Sequence, residues 1–265
     1  MFRKQENMKV SCFVIHLERA TDRLANVNEI MSNAPVRPQI LRAVDGEQLS
    51  GQVQASEHRR HLHRPEYPFS LVQGEIGAFL SHRSSWKRIW RGDADAGLVI
   101  EDDASLDPEL MKFAFRLACA RINELGYIQF SVKKPRGIAE ILASERFSDE
   151  TFVNLSAFRT VPLGAVAQLI SKKAAMRLYE VSESFDRPVD TFLQMHWLTG
   201  QPVATIYPSG VTHGSSELAL NSTIHRRKGK QKWWRREWNR FHYRSALRRL
   251  SSNHLDVRQA LGDRT

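Results

Sequence analysis

Apolar residues recur along the chain in two rhythms, and the changes from one to the other mark out its elements. Val10 to Leu17 (VSCFVIHL) is a nearly unbroken apolar run rich in β-branched residues, which predicts a buried strand. The stretch after it, ERATDRLANVNEIM, switches to helical spacing and opens at Thr21 or Asp22, both residue types that cap helices. Gln39 to Val44 predicts a second short strand, closed by the turn pair Asp45-Gly46. From there to about Phe69 the chain is polar, rich in His and Arg, and irregular. Ile76, Phe79, Leu80, Trp86, Ile89 and Trp90 form a helical stripe within Glu75 to Trp90. Leu98 to Ile100 predicts a strand that runs into Glu101-Asp102-Asp103, and Leu110 to Leu125 a helix. Tyr127 to Val132 and Gly164 to Ile170 read as strands, the second leading through a Ser171 cap into the helix KKAAMRLYEV. Strands alternating with helices predict an α/β sandwich with a mostly parallel central sheet.

Composition narrows the classes open to such a chain. With 265 residues and 42% hydrophobic content, it can bury the core of one large domain, alone or with an appendage, which excludes a disordered chain. No run of about 18 apolar residues is present to span a bilayer, and the charged start MFRKQENMKV lacks the features of a signal peptide. Cys12 and Cys119, the two cysteines, form no CxxC pair. A cytoplasmic protein is expected.

The net charge of +10 is concentrated in one place. Arg226 to Leu250 holds 11 Lys/Arg against the single acid Glu237, so of 39 basic and 29 acidic residues the remainder keeps 28 of each. Residues 226–265 therefore read as a basic, aromatic, helical tail. Trp234, Trp238 and Phe241 at i, i+4 and i+7 would make a stripe flanked by cations, suited to an anionic membrane surface. Nucleic acid, whose phosphates and bases also attract such residues, is the less favoured partner, and a solvated helix is the plainest reading.

Three acids at the end of an apolar strand repel one another and lose hydration unless they face solvent or a cation. Alternation along the strand puts Glu101 and Asp103 on one side and Asp102 on the other. That is the spacing of an acid-x-Asp metal site, with oxygen ligands suited to Mn²⁺ or Mg²⁺ bridging a diphosphate. A solvated strand end, or acids placed near the start of the helix at Pro108, would give the same triplet.

Six stretches resemble glycosyltransferase family 25, in that family's order: VIHLERATDRL, RAVDG, GEIGAFLSHRSSWKRI, LVIEDDA, GAVAQLISKKAAMRL and RPVDTF. YPSGV and NSTI complete the set, so the resemblance spans roughly residues 9–225. It implies a GT-A-like domain that binds a nucleotide sugar, usually UDP-linked, and a metal-dependent hexosyltransferase acting on lipopolysaccharide or lipooligosaccharide. A lipid-linked oligosaccharide acceptor would place the protein peripherally at the inner face of the inner membrane. One departure stands out: where the family often has Gly-Thr-Ala-Gly-Tyr, this chain has Gly164-Ala165-Val166-Ala167-Gln168.

The residues expected to act follow from motif and chemistry together. Arg19 and Arg23, at i, i+4 on a helix start, can fork onto diphosphate oxygens or form a salt-bridged solvated face. His82 falls on the same helical face as Glu75 and is expected at the donor with Asp102, although a helical His is also a common structural hydrogen bonder. Asp190, just after Pro188-Val189 at a helix start, is the candidate base for the acceptor hydroxyl, with Glu75 the second choice; capping is its alternative role. His213 can be a third metal ligand, a phosphate donor or a plain loop histidine. A basic binding module with an inactive α/β core is the rival from another class.

Overall fold

The computed structural model describes residues 8–51, 58–214 and 233–251, with the side chains of the last segment described from 237 onward. The expected boundary between domain and tail at 225/226, the NSTI motif and the side chains of Trp233 and Trp234 lie outside the described residues.

Eight strands form one sheet in the order β2-β1-β3-β8-β5-β9-β7-β6. They are β1 (Val10–His16), β2 (Pro38–Arg42), β3 (Ala96–Glu101), β5 (Tyr127–Phe130), β6 (Ala139–Arg146), β7 (Phe152–Phe158), β8 (Ala167–Ser171) and β9 (Ala204–Tyr207). The short strands β4 (Ala104–Leu106) and β10 (Val211–His213) pair separately, antiparallel to each other. Around the sheet lie α1 (Leu24–Asn33), α2 (Gln73–Arg91), α3 (Pro108–Leu125), α4 (Lys172–Val181), α5 (Val189–Leu193), α6 (His196–Thr199) and α7 (Trp233–Leu250).

The sheet is mixed, which refines the expectation of a mostly parallel one. β1 runs parallel to β2 and β3, and β5 to β9, whereas β8 is antiparallel to both its neighbours and β7 to both of its own. Following those pairings, β7 and β8 are the two strands of the eight that oppose the rest. β6 and β7 form a hairpin joined by residues 147–151, a connection short enough only for antiparallel partners. Its register shifts between Ile141 and Ala143, a bulge on the outermost strand.

Alternation divides the buried side chains between two cores. Leu98 and Ile100 of β3 pack with α1 and α3, while Val99 faces α2, α4 and α5. Helix starts follow local chemistry: Asp107 accepts from the Leu110 N–H ahead of α3, and Ser171 from the Ala174 N–H ahead of α4. Two family motifs meet at Gly46 and Gly77. A Cβ on Gly46 would lie 1.8 Å from the Gln73 carbonyl oxygen, so α2 can pack against the turn after β2 only because that residue is glycine. Burial pushes the thiols of Cys12 and Cys119 up to about 12, so neither is a ready nucleophile.

The basic helix α7 is not a free appendage. Its Leu247 is buried, and its Tyr243 hydroxyl accepts from Arg187 at 3.2 Å while its ring meets Tyr67 edge-on. Trp238 and Phe241 point outward and are 63% and 65% exposed.

Candidate active site

The site is built on the end of β3. The Glu101 N–H donates to the Val166 carbonyl and that of Asp102 to Ile15, which fixes the strand end between β1 and β8. Glu101 and Asp103 face one cavity of about 1350 Å³, as alternation predicts. The YPSGV stretch brings in His213. Gly210 adopts φ +72° where a Cβ would lie 2.2 Å from the Met111 nitrogen, and β10 then pairs so that His213 sits opposite Ala104. The Gly214 N–H closes the turn on the Asp103 carbonyl at 2.7 Å.

Adjacent acids have separate roles here. Asp102 is buried and accepts from Arg23 at 2.5 Å, with its other oxygen 2.8 Å from His16 Nδ1. Asn26 secures the same turn by donating to the Asp102 and Ala104 carbonyls. Asp102, expected beside the donor, and Arg23, expected on the diphosphate, are therefore committed to each other beneath the surface. Arg19 lies in the turn before the helix rather than on one helical face with Arg23. It is half-exposed and bonds Asp45 at 2.8 Å and Glu47 at 3.2 Å, which places it in a salt-bridged rim. Both arginines border a smaller pocket that shares Glu101 and Asp103 with the main cavity.

Asp103 is left in the opposite condition. Its Oδ1 is buried with no hydrogen-bond partner among the described residues. Burial first, and then the neighbouring Glu101, push its carboxyl up to about 6. A cation relieves both effects, so the oxygen-rich donor set suits Mn²⁺ or Mg²⁺. Among the described residues, no three ligating side chains stand close enough to hold an ion unaided. The fit is therefore one of chemistry, with the remaining ligands to come from substrate and water.

His82 is fully buried and linked on both sides. Its Nε2 lies 2.8 Å from Glu101 Oε1 and its Nδ1 3.1 Å from the Gln168 amide nitrogen. Gln168 also donates to the Ala165 carbonyl and accepts from the Tyr127 hydroxyl. Burial, then Glu101, raises the Tyr127 pKa well above the usual range, so it stays a donor. Donation from Gln168 assigns the acceptor lone pair to His82 Nδ1 and the proton to Nε2, which points it at Glu101. Gln168, where the family often has Tyr, is thus a member of the site that its departure from the motif had flagged without giving it a role.

Asp190 begins α5 as expected and bonds its own turn, accepting from the Thr191 N–H at 2.7 Å. Burial raises its pKa, opposed by the Thr191 bonds and reinforced by Glu101 and Glu75. Glu75 lines the same cavity but also accepts from the Val72 N–H at 3.0 Å, a capping bond at the start of α2. Arg187 was not anticipated. It is completely buried, bonds Asp186, donates to the His63 and Pro65 carbonyls at 3.0 Å each, and reaches Tyr243. An adjacent Asp-Arg pair just before Pro188 was the available signal.

These positions can be set beside known proteins. The family described as Glycosyltransferase family 25 (LPS biosynthesis protein) matches residues 9–193. The chain belongs to this family. Human procollagen galactosyltransferase 2 is 29% identical over 205 residues, covering 72% of this chain and 31% of that protein. Mouse inactive glycosyltransferase 25 family member 3 is 27% identical over 203 residues, covering 70% and 33%. The chain thus corresponds to about a third of the length of these relatives. Among solved structures, S. aureus TarS 1-349 is similar with a TM-score of 0.40 at 12% identity, covering 78% of this chain and 60% of that one. Every residue expected to act, except His213, lies within the family match.

Proposed function

We propose that the chain transfers a hexose, galactose before others, from a UDP-sugar to a saccharide acceptor of lipopolysaccharide or lipooligosaccharide. The observation that carries this reading is the convergence of Glu101, Asp103 and Asp190 on one large cavity in a family 25 chain. Asp190 takes the proton from the acceptor hydroxyl as that oxygen attacks the anomeric carbon and UDP departs. Burial raises its pKa, which makes its carboxylate a stronger base than a solvated one. His82, held by Gln168, keeps Glu101 aimed at the donor. Glu101 and Asp103, with the remaining ligands from substrate and water, would hold Mn²⁺ or Mg²⁺, which when bound would neutralise charge on the departing diphosphate. The GT-A-like assignment belongs to the same proposal.

The outward Trp238 and Phe241, on a helix dense in arginine, support peripheral attachment to an anionic membrane, placed at the cytoplasmic face. Among the described residues, no helix is long and apolar enough to cross a membrane. Vesicle sedimentation tests the attachment: the intact chain should pellet with anionic vesicles at low salt, and Trp238→Ser/Phe241→Ser should weaken that binding.

A second reading is favoured by the mouse relative whose name declares it inactive. On that reading the chain is a basic adaptor for membrane or RNA with a silent core. UDP release from UDP-sugars, with and without Mn²⁺, separates the two. Asp190→Asn keeps the side-chain shape and should cut turnover at least about a hundredfold with UDP affinity unchanged. A normal rate in that variant moves the base to Glu75, and absence of both UDP binding and UDP release in the wild type favours the adaptor.

A further inference from the structure

The cavity wall contributed by α7 is basic, and its cations take no part in the reaction proposed above. Arg240, Arg244 and Arg248 follow at four-residue intervals, which sets them along one helical face, and all three line the cavity. Arg159, at the end of β7, also lines it, and its Nε is buried with no hydrogen-bond partner among the described residues. Arg240 is paired with Glu237 at 2.8 Å, whereas Arg244 and Arg248 are exposed and join no ion pair among the described residues. Guanidinium groups gathered around one space repel one another unless an anion lies among them, and their planar forks match phosphate and carboxylate.

Position along the chain separates this wall from the donor. Glu75, Glu101, Asp103 and Asp190 lie inside the span that matches the family, 9–193, and the three helix arginines lie beyond it. Machinery for a donor common to the family belongs within the shared span. The three helix arginines, outside it, are free to serve the acceptor instead, and Arg159, inside it, lines the same cavity.

Resting on the transferase reading, we infer that Arg159, Arg244 and Arg248, with Arg240, form a subsite for an anionic group, phosphate or carboxylate, on the acceptor saccharide. The subsite holds the acceptor's charge away from the acidic floor and leaves a neutral hydroxyl facing Asp190. Charged acceptors are thereby selected over neutral ones.

Isothermal titration with a lipopolysaccharide core oligosaccharide tests this in three forms: intact, phosphatase-treated and carboxyl-reduced. Arg244→Gln/Arg248→Gln replaces two exposed side chains and so spares the packing, Arg159→Gln is a second and independent variant, and Arg244→Lys/Arg248→Lys retains the charge. The expected result is at least tenfold weaker binding of the intact oligosaccharide by the Gln variants, with UDP affinity unchanged and the Lys variant close to wild type. One of the two stripped oligosaccharides should show the same loss on the wild type, and which one names the group. Equal binding of all three forms, or Gln variants that bind the intact form normally, overturns the subsite. Loss of UDP affinity in the Gln variants assigns the wall to the donor and overturns it as well. A wild type that neither binds nor releases UDP overturns the transferase reading first, an outcome separate from the charge series.

Discussion

The two sides of the β3 end carry the same kind of residue under opposite conditions. On the support side, Asp102 is enclosed by Arg23, His16 and the Leu17 N–H, and nothing is left for a ligand. On the cavity side, Asp103 keeps a buried oxygen with no partner, and its carboxyl is pushed up to about 6. One step along the chain separates an acid with both oxygens paired from one with a buried oxygen left unpaired. Satisfied charges hold a site's shape, and unsatisfied ones leave work for a ligand to do.

The largest effect should come from the support side. Asp102→Ala leaves the Arg23 guanidinium buried without its counter-ion and is expected to cost about 3–5 kcal/mol of stability. Chemical denaturation checks it, and a variant as stable as the wild type would show that the cluster is not structural. Asp103→Asn should do the reverse. Turnover should fall at least about a hundredfold, roughly 2.7 kcal/mol, while the melting temperature holds or rises because a crowded carboxylate becomes neutral. Unchanged turnover in EDTA would remove the metal from the argument. Gly46→Ala tests the packing beneath both sides, since the new Cβ meets the Gln73 carbonyl, and should cost about 1–3 kcal/mol. Its activity per folded molecule should stay near wild type.

The smallest effect is a pH dependence in the loop clasped by Arg187. Burial lowers the His63 pKa below its ordinary value, with Asp186 opposing and Arg187 assisting. A histidine shifted down stabilises the fold above its unfolded pKa of about 6.5, and that contribution is lost as pH falls through the lower folded value. Protection from hydrogen exchange in residues 58–72, corrected for the intrinsic rate at each pH, should therefore fall on acidification, and His63→Gln should flatten the response.

Much of this was legible in the sequence because strand alternation and helix caps are local. Glu101 and Asp103 sharing a face, Asp190 at a helix start and Ser171 as a cap all follow from spacing within a few residues. Arg19 and Arg23 did not follow, because which acid a guanidinium finds depends on Asp45 and Asp102, which the fold brings in from 26 and 79 positions away. Arg187 has its acid, Asp186, beside it in sequence, but its other partners, Tyr243 and the His63 and Pro65 carbonyls, come from 56, 124 and 122 positions away. The β6-β7 hairpin was missed because β6 is mostly exposed and its sequence AEILASER does not alternate between apolar and polar. The inward side of α7 was hidden by its composition, in which cations outnumber the few residues that dock.

The bulge between Ile141 and Ala143 has a consequence for life in a crowded cell. Among the described residues no strand covers the outer side of β6, and an open strand edge is a template for adding a strand from another molecule. Ile138, Ile141, Phe147 and Phe152 are all exposed near that edge, which makes the hazard real. The bulge breaks the regular ladder of donors and acceptors, and Glu140, Glu145 and Arg146 place charge along the same strand. Straightening the strand by deleting Leu142 would restore an even edge, and the protein would then be expected to aggregate edge to edge.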